Sequence, residues 1–129
     1  LGGPRVTGVG WAAGIERLAM LVETASVNNP KVAILTADDG ARHAAFCLAE
    51  QLRDAGLDID LPTSGAMGKK LKKADKAGIR TAVIMGSDEL AKNTVQLRNL
   101  NDGSQQELPL DPDDCSGLAA VIAKSLLAP

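Results

Sequence analysis

The stretch that decides the fold is Val32-Ala33-Ile34-Leu35-Thr36-Ala37-Asp38-Asp39-Gly40, running on through Ala41-Arg42-His43-Ala44-Ala45-Phe46-Cys47-Leu48-Ala49-Glu50-Gln51-Leu52 to Ala55-Gly56. Val32 to Thr36 is a continuous apolar run, the mark of a strand buried on both faces. Asp38 or Asp39 then offers a carboxylate to cap a helix. Ala41, Ala45, Leu48 and Leu52 recur at helical spacing as its inward stripe, and Gly56 supplies the stop. A buried strand followed at once by an amphipathic helix is the opening of a parallel α/β sheet.

The same alternation continues downstream. Asp58 to Leu61 reads as a second, thin strand, Pro62 to Gly68 as a loop, Lys69 to Ala77 as a short helix ended by Gly78, and Thr81 to Gly86 as a third strand. Thr94 to Leu100 sets Val95, Leu97 and Asn99 against Thr94, Gln96 and Arg98, the period of a half-exposed strand. Asn101-Asp102-Gly103-Ser104 is a hairpin turn and Gln106 to Leu110 the return strand. A turn that short joins antiparallel neighbours only, so the sheet is mixed. Asp111-Pro112 reads as an N-cap with Pro at the first helical position, and Leu118, Val121, Ile122 and Leu126 line the last helix. The order βαβαββα places helices on both faces of a five-stranded mixed sheet.

Ahead of this domain, Val6 to Trp11 reads as a short strand and Ala12 to Thr24 as a helix with Ile15, Leu18, Ala19 and Val22 on one face. The polar run Ser26 to Pro30 reads as a linker. The expected organisation is therefore residues 1–25, a linker over 26–30, and a domain over 31–129.

Composition narrows the function. Hydrophobic residues make up 45% of the 129 positions, enough for a core and against disorder. No apolar run has the ~18 residues of a membrane span. Leu1-Gly2-Gly3-Pro4 has neither the basic nor the apolar region of a signal peptide. Cys47 and Cys115 are too few for a disulfide framework, which makes a cytosolic setting the default. Net charge is −2, so the chain as a whole is not a basic nucleic-acid binder. Charge is unevenly spread, however. Lys69 to Arg80 holds six of the 14 basic residues and one of the 16 acidic ones, leaving eight basic against 15 acidic elsewhere. Such asymmetry is an electrostatic footprint. Trp11 and Phe46 are the only aromatics, which excludes a base-stacking platform and leaves charge, hydrogen bonds and backbone as the means of holding RNA.

Lys69, Lys72, Lys73 and Lys76 fall at i, i+3, i+4 and i+7 and share one helix face, with Met67, Leu71 and Ala74 opposite and Lys70 and Arg80 flanking. A run of this kind can be a plain solvated face or a row of phosphate contacts. Base-edge contacts are then expected from Lys92, Asn93, Gln96 and Arg98. His43 and Cys47, one turn apart, are two metal-capable side chains without further ligands nearby in sequence, so no metal site is expected. Cys115 falls in the first turn of the last helix, where a thiol pKa can drop. Asp111, Asp113 and Asp114 suit a helix N-terminus.

Gly8 to Leu18, GVGWAAGIERL, is a glycine-rich strand running into a helix that carries Glu16-Arg17. Glycines at alternate strand positions let a ligand lie against the backbone, and an arginine on the next helix can stack on a base or fork onto phosphate. A dinucleotide-binding fingerprint is the rival, but GxGxxxG is one residue too long for it. The run Gly8 to Glu23, with the Leu1-Gly2-Gly3-Pro4 approach, resembles motif 3 of class II aminoacyl-tRNA synthetases, most closely the histidyl branch. Gly65 to Leu100, GAMGKKLKKADKAGIRTAVIMGSDELAKNTVQLRNL, is similar to the anticodon-binding domain of class IIa members.

That resemblance implies several things. The domain would be a three-layer α/β/α fold with a five-stranded mixed sheet, binding the anticodon region of tRNA(His). The strand and helix of residues 1–25 would be the end of a class II catalytic core. Arg17 would pack on the adenine of ATP and reach its γ-phosphate, with Gly8, Gly10 and Gly14 admitting substrate. The parent enzyme would be a cytoplasmic homodimer charging tRNA with histidine by means of ATP and Mg²⁺, with no membrane or DNA partner. This stretch would need no cofactor of its own. A regulatory or sensor protein built on the same domains, or a free-standing RNA- or nucleotide-binding module, would share these features. Motif 1, motif 2 and the histidine-recognition motifs have no counterpart in the 129 residues, and stabilising charge at the α-phosphate needs groups from them. The chain alone is expected to give no histidine-dependent pyrophosphate exchange; measurable exchange above a no-histidine control would refute this.

Overall fold

The computed structural model describes residues 7–22 and 32–127. The linker expected over 26–30, Leu1 to Val6 and the end of the first helix lie outside them. A five-stranded sheet forms the centre, in the order β2-β1-β3-β4-β5. Strand β1 is Val32–Thr36, β2 Ile59–Asp60, β3 Thr81–Met85, β4 Thr94–Asn99 and β5 Gln105–Pro109. β2, β1 and β3 are parallel, whereas β4 runs antiparallel to both β3 and β5.

All five residues of β1 are buried. Their alternation feeds two cores. Val32 and Ile34 face a large cluster with Ala45, Leu48 and Leu52 of α2 (Arg42–Asp54) and Leu118 and Ile122 of α5 (Ser116–Leu127). Ala33 and Leu35 face a small cluster with Ala74 of α3 (Met67–Lys76), Ile79 and Ala82, bordered by Met67, Leu71 and Ile84. One face of the sheet thus carries two helices and the other carries α3, the three-layer α/β/α arrangement expected from the element order.

Local signals act where the sequence places them. Asp38 accepts a hydrogen bond from Ala41 N–H at 3.1 Å and caps a short 3₁₀ turn, Asp39–Ala41, that leads into α2. Gly78, with φ +74°, turns the chain from α3 into Ile79 and β3 in the left-handed region that glycine adopts without strain. The β4–β5 hairpin closes through Asn99 and Ser104, with Ser104 N–H donating to Asp102 Oδ1 at 2.7 Å.

Three expectations differ from the structure. No strand forms over residues 7–11: a strand persists only through a ladder to a neighbour, and none of the five described strands pairs with it. The helix that follows, α1, is confined to Ile15–Leu21, and none of its residues is buried. The last helix starts at Ser116 rather than after Asp111. Asp111 accepts from Asp113 N–H and Asp114 from Ser116 N–H, local turns that compete with helix, and Gln51 holds the Pro112 carbonyl. Its inward residues are Leu118, Ala119, Ile122 and the preceding Cys115, so Val121 stays exposed. A fourth element, α4 (Ser87–Ala91), has no counterpart in the sequence reading; five residues are too few to show a period.

Leu52 is fully buried between α2 and the sheet. Leu52→Ala is expected to cost about 2–5 kcal/mol, read as a lower urea midpoint at unchanged slope.

Candidate nucleic-acid interface

Ligands of open parallel sheets usually enter where the chain leaves adjacent strands in opposite directions. Here that point lies between the ends of β1 and β3, and the protein's own groups occupy it. Asp38 receives Ser87 N–H at 2.8 Å and Ser87 Oγ at 2.7 Å. A β-carbon at Gly40 would stand 2.5 Å from that hydroxyl, so the approach needs glycine. The backbone N–H and the hydroxyl of Ser87 hold the Asp38 carboxyl below its usual pKa, with Ala41 and Gly40 N–H adding to the effect.

The open surface lies on the α3 face of the sheet, one strand further out. Arg98 and Gln96 are paired with Ala82 and Ile84, and so share the face on which α3 packs. α3 packs on β1 and, through Ala74 and Ala82, on β3. Thr94, Gln96 and Arg98, with Gln105 and Glu107 on β5, form a polar shelf beside it. Between helix and shelf runs a cleft of about 220 Å³ lined by Leu71, Lys72, Asp75, Arg98 and Leu100.

Lys69, Lys72, Lys73 and Lys76 are exposed on α3, as their spacing predicts, and Arg80 is exposed just beyond it. Among the described residues the ion pairs are Arg42–Asp39 and Arg53–Glu50, so none of these cations is in a direct ion pair, while Asp75 borders the same cleft. Arg98 is half-buried, and its Nε is enclosed without an acceptor. Gln96 is engaged across the hairpin, donating to Glu107 at 2.9 Å and accepting from Gln105 at 3.3 Å.

Lys70 is the correction. It does not flank the charged face but points inward, 7% exposed, and its ammonium donates to the carbonyl and to Oγ1 of Thr36, each at 2.9 Å. The sequence carried a signal for this, since Met67, Lys70, Leu71 and Ala74 share the i, i+3, i+4, i+7 stripe. Lys92 and Asn93 are exposed at the start of β4, at the opposite end of that strand from Arg98. Asn93, at φ +53°, makes the turn from α4 into β4, and its carbonyl receives Leu110 N–H at 2.8 Å. The structure thus joins Lys72 and Arg98 in one cleft, with Lys69, Lys73 and Lys76 on the same helix, and leaves Lys92 and Asn93 apart.

Gly8, Gly10, Gly14 and Arg17 lie on the exposed segment 7–22. Cys47 Sγ is 3.8 Å from His43 Nε2, but among the described residues no three His, Cys, Asp or Glu side chains gather as a metal site. Cys115 is buried, and desolvation raises its thiol pKa instead of lowering it. A larger cavity, about 320 Å³, is on the other sheet face and lined by uncharged groups such as Asn99, Gln106 and Ser125. None of the described helices is long and apolar enough to cross a membrane.

The anticodon binding domain family matches residues 31–112. The chain belongs to this family. Among curated relatives, histidine–tRNA ligase of Gluconobacter oxydans is 41% identical over 110 residues, 85% of this chain and 26% of its own length. The ligase of Pelobacter propionicus is 35% identical over 122 residues, 93% of this chain and 30% of its own, a match that reaches ahead of residue 31. The chain thus spans about a quarter to a third of the relatives it matches. Histidyl-tRNA synthetase from Nostoc sp. PCC 7120 superposes with a TM-score of 0.66 at 31% identity, over 86% of this chain and 25% of that one. The RNA-binding domain of threonyl-tRNA synthetase from Cryptosporidium parvum shares the fold, with a TM-score of 0.64 at 17% identity over 74% of this chain and 23% of that one.

The lowered Asp38 pKa has a consequence in acid. A carboxyl whose folded pKa lies below its unfolded value stabilises the fold above the ordinary 3.8, and that contribution is lost as pH falls through the folded value. Asp38→Asn is expected to flatten the dependence of stability on pH below the ordinary carboxylate value of 3.8, read from urea midpoints; an unchanged slope would show that the Ser87–Asp38 bonds do not link stability to pH.

Proposed function

We propose that this chain binds the anticodon arm of tRNA(His) as the C-terminal part of a histidine–tRNA ligase. The observation that carries the proposal is the row of unpaired lysines on α3 beside a cleft that holds Arg98. Lysines neutralise phosphates without reading sequence, while an arginine and amides at a shelf edge can address bases. With few aromatics, stacking contributes little, so affinity rests on charge. Gln96, tied to Glu107 and Gln105, would present a fixed pattern of donors and acceptors.

On this reading residues 1–25 close the catalytic core, residues 26–30 link it to the anticodon-binding domain of residues 31–129, and Gly8, Gly10, Gly14 and Arg17 belong to the ATP site. The parent enzyme attaches histidine to tRNA with ATP and Mg²⁺, as a cytoplasmic homodimer.

The test is filter binding or anisotropy with tRNA(His) across a salt series. Changing Lys69, Lys73 and Lys76 together to Gln should weaken binding and reduce the slope of log affinity against log salt by about 0.7 for each phosphate no longer neutralised. A triple variant with the parent slope would refute phosphate binding by α3.

A further inference from the structure

Lys70 is a buried cation with neutral partners. Thr36, which supplies both acceptors, is itself 6% exposed. A buried charge without a counter-charge adds little net stability, and an apolar side chain of similar length often serves as well or better. What the contact does provide is direction. The layer between α3 and the sheet is shallow: its enclosed members are Ala33, Ala74 and Ala82 with Leu35 and Ile79, and Met67, Leu71, Ile84 and Leu100 only border it, half-buried. Small side chains leave few interlocking contacts to stop a helix sliding or rolling. Lys70 binds the last residue of β1, whereas Leu71, Lys72 and Asp75 border the cleft at Arg98. Two directed hydrogen bonds from the first half of α3 thus tie the helix to the end of β1, one residue before the side chains that border the cleft.

We infer that Lys70 is a positioning residue for RNA binding: through Thr36 it sets the register of the α3 lysine face against the Arg98 shelf and does not itself touch phosphate. This rests on the tRNA-binding reading above. It differs from an ordinary structural lysine in a way that can be measured. Thr36 is enclosed and cannot reach RNA, so an effect of Thr36 on affinity is indirect, and its disappearance in the Lys70→Met background assigns it to the Lys70 contact.

The experiment uses the full chain, the anticodon stem-loop of tRNA(His), and the variants Lys70→Met, Thr36→Val and their combination. Each is assayed at a temperature where its own melt shows it folded. Lys70→Met is expected to weaken binding roughly tenfold and Thr36→Val roughly threefold, the scale of hydrogen bonds to a charged donor removed in whole or in part. The double variant should bind no worse than Lys70→Met, because the two changes remove one shared interaction. The salt slope should stay at the parent value throughout, and amide exchange along α3 should quicken while β1 and β3 remain protected. A silent Thr36→Val, with a slope reduced by about 0.7 in Lys70→Met, would make Lys70 a phosphate ligand and overturn the inference. Equal affinities in folded variants would overturn it too, while leaving parent binding, and so the tRNA reading, intact. If the unaltered chain does not bind the stem-loop, that reading falls and the inference with it. Should Lys70→Met fail to fold, Thr36→Val, which keeps the ammonium and the carbonyl acceptor, decides by affinity, slope and exchange.

Discussion

The structure depends on the burial of β1 on both faces. Val32 and Ile34 on one side, and Ala33 and Leu35 on the other, are each wholly removed from water. A strand in that position can only be satisfied by partners along both edges and layers over both faces. β2 and β3 supply the edges, α2 and α5 one layer, and α3 the other. Everything else is placed relative to this strand, including the lysines, since α3 lies over it and Lys70 is bonded to its last residue.

The two layers are unequal, and the inequality makes room for function. The α2/α5 side is a deep apolar core that secures the domain. The α3 side is shallow and stops at β3, leaving β4 and β5 to present polar side chains on their uncovered face. A polyanion needs a surface wet enough to keep its lysines exposed and rigid enough to hold them in line. A short, highly charged helix on a thin apolar footing meets the first requirement, and the Lys70–Thr36 bonds address the second. At the crevice where parallel sheets often bind ligands, Asp38 and Ser87 are bonded to each other, and the cleft beside α3 lies further out, at β4.

Much of this was legible in order and composition. Continuous apolar runs gave β1 and β3, periods gave α2, β4 and the inward face of α3 except Lys70, and the charge excess of residues 69–80 marked the helix that stays exposed. What was not legible was short or local. α4 is too brief for a period, and the start of α5 was displaced by aspartates that bond to backbone two residues on. The strand expected over residues 6–11 illustrates a different limit: its sequence suits a strand, but strand formation is decided by a partner elsewhere in space.

The sequence by itself determined the class of fold, the family, and which helix carries the charge, because hydrophobic period and residue type are properties of the chain read in a line. The helical stripe of Met67, Lys70, Leu71 and Ala74 marks which cation faces inward, but only tertiary structure supplied the partner that holds it there. Lys70 and Lys69 are adjacent and chemically identical, yet one is enclosed against Thr36 and the other is in solvent. The difference arises because Lys70 falls on the stripe that faces the sheet and meets Thr36 there, a contact between residues 34 positions apart. The pairing of Lys72 with Arg98 across one cleft has the same origin: β4 returns beside β3, and the sheet brings to the helix a side chain that the linear order leaves far from it.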